Sequence, residues 1–548
     1  MSEKGWPRDG VVTEWYEGAL EDAYACRYPN LTAIFLETLS KLPGKEAFIF
    51  PAVGERYTYR QLDDAVKKAA ASLIDSGVKK GDRVAMFLLG NPEFIISYLA
   101  LARIGAVSVI INARLAADEV EYQLTDSGAK MIIAEADLWE KVEPLMDKLP
   151  GLERAFVSAA KSAGNALPFQ SLLERPVPSY IDVEVDESDI ISICYTSGTT
   201  GKPKGSIITH RNVVANALSA VSVFPRLLPE GYGIAELREM IALPMFHVTG
   251  LHTLFNLAML GATAVVMPVF AANEVIDAMI AEKCNYFIGV TAMFWLLRMQ
   301  PNYPDLVKAG HILSMFQGGS PMPPELGKLL LDDFPNAQIG NGFGMTETTS
   351  IGAGSILPPD FIIEHGASIG WPTPPTLFKA VDDDGNKVPQ GKPGELLISG
   401  SGICRGYWNL PDKNAESFVV DKDGRRWHHS GDIVVVDEQG LYTIVDRKKD
   451  MVLRGGENIY CVEVENIISM HPKVFQVGVL GVPDAVLGEK VKAVIFPMPG
   501  QELTEDEVKD FCRGKLAEYK VPDFVVISPD PLPMNPGGKI MKLALRDM

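Results

Sequence analysis

The sequence predicts an α/β protein. A large multi-subdomain α/β domain occupies residues 1–446 and contains a β-rich subdomain at about 365–446; a linker at 447–450 leads to a small α+β domain at 451–548. Three observations predict this. Helical and strand-like segments alternate up to about residue 360, which favours a layered α/β domain. From His365 the chain turns to short strands punctuated by "DDDGNKVPQGKPG", "DKDG" and "DEQG", whose Asp-Gly turns signal hairpins. After "DRKKD", residues 446–450, a third texture of short helices and long strands begins.

Taken in order, "YTYRQLDDAVKKAAASLIDSGV" has a helical period, "RVAMFLL" is a strand, "PEFIISYLALARIG" a helix and "AVSVII" a strand. The same rhythm continues through "NEVIDAMIAEKCNYFIGV". The apolar stretch "FNLAMLGATAVVMPVFAA" from Phe255 is broken by Asn256, Gly261 and Pro268, so it reads as a buried strand or helix pair rather than a membrane span. In the last part "EVENIISMHP" is a short helix, and "VFQVGVLGV" and "EKVKAVIFP" are strands. "TEDEVKDFCRGKLAEYKVP" opens with a Thr504/Glu507 capping box and puts Val508, Phe511, Cys512 and Leu516 on one face. About a hundred residues suffice for an independent small domain.

At 548 residues the chain exceeds one small core, and its 47% hydrophobic and 22% charged residues are those of a soluble globular protein. The net charge of −19 argues against a sequence-independent nucleic-acid binder. It does not exclude anionic ligands, because a local cluster of lysines and backbone N–H groups can hold phosphate within an acidic protein. The six scattered cysteines have no C-x-x-C spacing and the eight histidines no H-E-x-x-H, so reduced thiols and no structural zinc are expected. "MSEKGWPRDG" lacks the apolar core of a secretion signal and the final "RDM" is not a peroxisomal tripeptide, so the expected location is cytoplasmic.

One loop stands out. "YTSGTTGKPKG", residues 195–205, follows the apolar run "DIISIC". Gly198, Gly201 and Gly205 let the backbone approach a ligand, Thr196, Ser197, Thr199 and Thr200 supply hydroxyls, and Lys202 and Lys204 supply charge. Together they suit a polyphosphate; a surface hairpin would explain the glycines but not the hydroxyls. It is not a Walker loop, because Pro203 follows Gly201-Lys202, and "GNGFGM" ends in Met345 and so fails the dinucleotide pattern.

The loop resembles the phosphate loop of the adenylate-forming superfamily of acyl-CoA and aryl-CoA synthetases, luciferases and adenylation domains. In that family's order follow "GGSP" (318–321), "GFGMTE" (342–347), "HHSGD" (428–432), "DRKKDMVLRGGENI" (446–459) and "NPGGKIMK" (535–542). On their own chemistry Phe343 offers an aromatic face to a purine, Thr346 a hydroxyl to phosphate, and Glu347 a hard oxygen to Mg²⁺. The resemblance implies a nucleotide site of Thr196, Ser197, Gly198, Thr199 and Thr200 with Gly319, Ser320, Pro321, Gly342, Phe343, Gly344, Met345 and Thr346. It adds Asp432 at the ribose hydroxyls, Ile444 beside the nucleotide and Arg447 at ribose or phosphate; Ser430 stands where the family more often has Thr and keeps the hydroxyl. Catalysis is assigned to Lys539, Glu347, Thr346 and Lys204, with Glu347 as metal ligand and Lys539 bridging the carboxylate and α-phosphate as charge builds.

The implied reaction uses ATP, Mg²⁺ and coenzyme A. A carboxylate attacks the α-phosphate to give an acyl-adenylate and pyrophosphate, and a thiol then displaces AMP. In the family the small C-terminal domain rotates between the two halves. That makes Lys449 the hinge and Gly455 and Gly456 the walls of the CoA passage. The acyl pocket is expected at His247, Val248, Val290, Gly318 and Gly342. His247 stands near where amino-acid-activating relatives carry an Asp, which argues against an amino-acid substrate, while Gly342 leaves room for a medium or long acyl chain or an aromatic acid rather than acetate. The expected partners are therefore a small carboxylic acid, ATP and CoA, with homodimer formation open. A ligase that loads a carrier protein and a non-catalytic nucleotide-binding regulator are the alternatives.

Overall fold

A computed structural model of the chain describes residues 5–158, 164, 166–181, 183–196, 202–223, 228, 231–319, 322–356, 365–455, 457–498, 500–534, 540–546 and 548. The chain forms two compact units that interleave along the sequence. The first contains most of the chain up to Phe378 together with Ile398–His428, and the second contains Lys379–Leu397 and His429–Met548. The β-rich stretch that follows His365 is thus divided between the two.

In the first unit the alternating segments build two sheets. One runs Gly406–Tyr407, Lys204–Thr209, Ile190–Thr196, Val107–Ile110, Arg83–Phe87, Met131–Ala134, Arg154–Val157 and Leu167–Pro168. From Ile190–Thr196 onward its strands are parallel, while the two at its edge are antiparallel. The other sheet has a parallel centre of Gln338–Phe343, Ser314–Gly318, Tyr286–Gly289, Arg238–Ile241, Thr263–Val266 and Glu46–Phe50, with antiparallel neighbours beyond. Strands such as Val107–Ile110 and Thr263–Val266 are buried at every position, as a parallel strand covered on both faces must be.

The helices form where the period placed them. Tyr59–Asp75 starts at a capping box of Thr58 and Gln61 and turns Leu62, Val66, Ala69, Ala70 and Leu73 inward. Pro92–Arg103 is buried on all sides, which explains its nearly unbroken apolar sequence. The stretch from Phe255 resolves into a short buried helix, Phe255–Met259, and the strand Thr263–Val266. Among the described residues no helix is long and apolar enough to cross a membrane, and all six cysteines are free.

The second unit carries a five-stranded sheet of Val452–Arg454, Glu457–Ile459, Val474–Asp484, Gly488–Pro497 and Phe524–Ile527, with the helices Cys461–Ser469 and Glu505–Cys512. Thr504 and Glu507 make the expected capping box. The helix ends sooner than its period suggests, because Gly514 turns with φ +78°; Leu516 is buried from beyond the helix end. This is the α/β class with a large N-terminal and a small C-terminal part.

A buried arginine holds the N-terminal hairpin. Arg211, its side chain 1% exposed, pairs with Glu14 and Glu21 of the hairpin at 2.5 Å and with Glu187 at 3.1 Å, and lies over the Tyr16 ring at 3.9 Å. Removing Arg211 leaves the buried Glu21 without its paired counter-charge, while the half-buried Glu14 and Glu187 keep Arg27. Arg211→Met therefore lowers stability by up to about 3 kcal/mol, the low end for leaving one buried carboxylate unpaired, read as a loss of melting temperature and faster proteolysis of the N-terminal hairpin.

Candidate active site

The carboxyl ends of parallel strands are where open α/β sheets present ligand-binding loops. In the second sheet those ends bring several expected residues into one row. His247 and Val248 follow Arg238–Ile241, Val290 follows Tyr286–Gly289, Gly319 follows Ser314–Gly318, and Gly344–Glu347 follow Gln338–Phe343. Gly318 stands in register with Gly342, and a Cβ added to either would meet only ordinary contacts, so each position has room for a methyl group. A Cβ on Gly319 would meet Val290 at 3.7 Å. His247 is exposed and Val248 buried, at the start of the π-turn Thr249–Leu254.

After Phe343 the chain is drawn tight. A Cβ on Gly344 would fall 1.2 Å from the Ser350 carbonyl oxygen, so this position admits only glycine. Thr346–Thr348 is one turn of 3₁₀-helix, with the Met345 N–H donating to Thr348 Oγ1 at 3.0 Å. Thr349 and Ser350 have φ of +53° and +96°, a strained backbone that persists because Thr349 Oγ1 is tied to the Gly402 carbonyl at 2.8 Å. The strain sits directly beside Glu347, which is only 6% exposed. The Phe343 ring meets Phe378 edge-on at 6.1 Å.

The hydroxyl-rich loop joins the antiparallel strands Ile190–Thr196 and Lys204–Thr209, whose last pair is Thr196 opposite Lys204. Thr196 Oγ1 donates to the Lys204 carbonyl at 3.4 Å, and Tyr122 donates its hydroxyl to the Pro203 carbonyl at 3.1 Å. Tyr195 donates to Asp126 at 2.6 Å. Burial lowers the Lys204 pKa, and the Glu347 carboxylate opposes that fall.

Lys204 and Glu347 meet through a residue that the motifs did not single out. Tyr407, 3% exposed, donates its hydroxyl to Glu347 Oε1 at 2.7 Å, and the Lys204 ammonium lies 4.2 Å from the centre of its ring. Its neighbours "RGYWN" carry no signal of this, because a Gly-Tyr pair has no meaning until its strand is known.

In the second unit Asp432 and Arg447 stand in register on neighbouring strands and pair at 2.7 Å, with Asp432 only 2% exposed. Ile444 is in register with Val434 on the same two strands. Ser430 Oγ donates to the Leu396 carbonyl and accepts from the Asp432 N–H, so the hydroxyl shapes the turn that carries Asp432. Lys449 lies in a turn closed by the Asp450 and Met451 N–H groups on the Arg447 carbonyl, and Gly455 turns with φ +60°. Ser197, Gly198, Thr199, Thr200, Ser320, Pro321, Gly456 and Lys539 lie outside the described residues.

Comparison with known proteins decides the family. Residues 35–408 match the model of the AMP-binding enzymes, and residues 463–539 match the C-terminal domain of the same enzymes. The chain belongs to the AMP-binding enzyme family. It is 34% identical to the long-chain-fatty-acid–CoA ligase FadD13 of Mycobacterium tuberculosis over 508 residues, 92% of this chain and 95% of that one. It is 33% identical to a feruloyl-CoA synthase from an Amycolatopsis species, over 90% and 94% of the two chains. Among solved structures it is similar to the o-succinylbenzoate CoA synthetase of Bacillus subtilis in complex with ATP and magnesium ion, with a TM-score of 0.80, 27% identity, and coverage of 95% of this chain and 100% of that one.

This AMP-binding enzyme has no group of three or more His, Cys, Asp or Glu side chains placed to hold a metal among the described residues. The buried Glu347 carboxylate is the kind of hard oxygen donor that Mg²⁺ takes, since Mg²⁺ uses one or two carboxylates and completes its shell with phosphate oxygens and water. A second missed residue lies next to Arg447. Asp446, 1% exposed, accepts from the Cys461 N–H at 2.5 Å, at the first turn of the helix Cys461–Ser469. Burial raises its pKa from an ordinary 3.8 to about 6, against the pull of Lys542. Between those two values the folded enzyme keeps a proton that the unfolded chain has released, so this carboxyl favours folding less as pH rises through the window. Asp446→Asn, which cannot ionise, should gain melting temperature over the parent as pH rises from about 4 to about 6. Melting curves across that range check it.

Proposed function

We propose that the chain is an ATP-dependent, AMP-forming carboxylic acid–CoA ligase, acting on a medium- or long-chain fatty acid or an aromatic acid. The observation that carries this reading is the convergence of Lys204, from the hydroxyl-rich loop, and Glu347, from the strained turn after Phe343, on one buried tyrosine. An ammonium and a carboxylate held apart, rather than paired with each other, suit a polyphosphate and the Mg²⁺ that travels with it. Room for a Cβ at Gly342 and Gly318, with Val290 against the neighbouring Gly319, supports an apolar acid, and the relatives named for long-chain and feruloyl substrates support the same two classes.

In this reading the acid's own carboxylate is the nucleophile, so the protein needs no covalent one. Its tasks are to hold the carboxylate in line with the α-phosphate and to neutralise charge as pyrophosphate leaves. Thr196, Thr346 and the loop hydroxyls bind phosphate oxygens, Lys204 offsets charge on the leaving group, and Lys539 meets the charge that develops at the α-phosphate. Phe343 flanks the purine. Asp432, oriented by Arg447, accepts from the ribose hydroxyls. Mg²⁺ bound with ATP withdraws charge from the phosphates. For the second half-reaction Lys449 is the pivot, and Gly455 and Gly456 border the passage of the CoA thiol.

Pyrophosphate release from Mg·ATP, measured against a panel of acetate, hexanoate, decanoate, palmitate, benzoate, a cinnamate and amino acids, tests the reading. Release with one class of apolar acid, and CoA-dependent formation of AMP and thioester, is the expected result. Acid-dependent release without a CoA-dependent thioester would favour carrier-protein loading, and silence across the panel with ATP binding intact would favour a non-catalytic nucleotide binder. Lys539→Ala should slow acyl-adenylate formation by about 10²–10³-fold while ATP still binds, as removal of a donor aimed at developing charge does elsewhere. Undiminished adenylation in that variant would remove Lys539 from the mechanism.

A further inference from the structure

We infer that Tyr407 is a positioning residue for ATP and its metal, orienting the Glu347 carboxylate with its hydroxyl and seating the Lys204 ammonium on its ring. The placement follows from the sheet. Gly406–Tyr407 pairs antiparallel with Lys204–Thr209, Tyr407 opposite Ser206 and Gly406 opposite Ile207. Lys204 is two residues from Ser206, so it emerges on the same face and is the diagonal neighbour of Tyr407, within reach of a long side chain. The tyrosine cannot swing away. Its N–H donates to Asn414 Oδ1 at 2.6 Å, its carbonyl accepts from Asn414 Nδ2 at 2.9 Å, and its ring packs against Phe418 at 5.5 Å. Glu347 is fixed on the other side by its own carbonyl, which accepts from the Cys404 N–H at 2.8 Å.

The two ends of Tyr407 do different work. A hydroxyl donor engages Oε1 of Glu347, sets the rotation of the carboxylate and leaves Oε2 as the oxygen to offer a cation. The aromatic face attracts the ammonium without neutralising it, so the lysine keeps its charge for an anion.

This inference rests on the ligase reading for the identity of the nucleotide, and the test separates the two. ATP binding is measured by calorimetry at graded Mg²⁺, and without it, for the parent chain, Tyr407→Phe and Tyr407→Leu, alongside melting curves. Tyr407→Phe keeps the ring and removes only the donor. It should weaken binding of Mg·ATP about tenfold, the loss of one charge-assisted hydrogen bond's orienting effect, while metal-free ATP binds within about twofold of the parent. Tyr407→Leu should in addition weaken metal-free ATP, because the seat of Lys204 is gone. Unchanged Mg·ATP affinity in Tyr407→Phe, or equal losses with and without Mg²⁺, would overturn the assignment, the latter marking a structural role only. If Tyr407→Leu melts below the assay temperature, Tyr407→Phe alone decides. A parent chain that binds Mg·ATP yet releases no pyrophosphate with any acid would sink the ligase reading, while the calorimetric comparison would still decide the role of Tyr407.

Discussion

Two residue pairs hold the proposed phosphate site of this protein together: Ser206 opposite Tyr407 and Ile207 opposite Gly406. Through them a strand from far downstream becomes the edge of the sheet that carries the hydroxyl-rich loop. Backbone hydrogen bonds of a sheet are directional and short, so this pairing sets the Tyr407 backbone beside Lys204, and packing against Phe418 holds its ring. Glu347, delivered by the other sheet of the same unit, then meets a fixed donor. The strained residues Thr349 and Ser350 are the local cost of bringing it there, and the tie from Thr349 to Gly402 holds that cost in place.

An acidic protein that handles a polyanion must arrange charge locally. With a net charge of −19 the long-range field repels ATP, and a Debye length of about 8 Å at physiological salt confines that repulsion near the surface. Binding is left to short-range groups. In the proposed site a lysine on an aromatic face and hydroxyl side chains act over a few ångströms, where screening by salt is weak. The same economy of charge recurs at the N-terminal hairpin, where Arg211 serves three glutamates from a buried position.

In the second unit the short run from Ser430 to Asp450 combines two roles. The strands Arg426–Val436 and Tyr442–Arg447 place Asp432 beside Arg447, so an acceptor suited to vicinal hydroxyls is held by its own cation. The next carboxylate, Asp446, reaches past the turn at Lys449 to the first N–H of the helix Cys461–Ser469. A helix start favours a negative charge through its free N–H groups, while burial disfavours it, and the raised pKa shows that burial prevails.

Most of the local structure was legible in the sequence. Period and capping identify the helix Tyr59–Asp75 with its Thr58 box and the helix after Thr504; apolar runs identify the buried strands; and the order of the motifs identifies the family, because each of these signals is written in neighbouring residues. The end of the helix at Cys512 was less legible, since a single glycine with positive φ outweighs a favourable period. Tyr407, Asp446 and Arg211 were not legible at all. Nothing within a few residues of Tyr407 signals that it lies between a lysine and a glutamate from two other segments, and burial, which gives each of these groups its meaning, is a property of the assembled chain. The sequence by itself determined which segments are helix or strand and which side chains are available for chemistry; only the tertiary structure decided which of them meet, because pairing between distant strands depends on the whole sheet closing around one core.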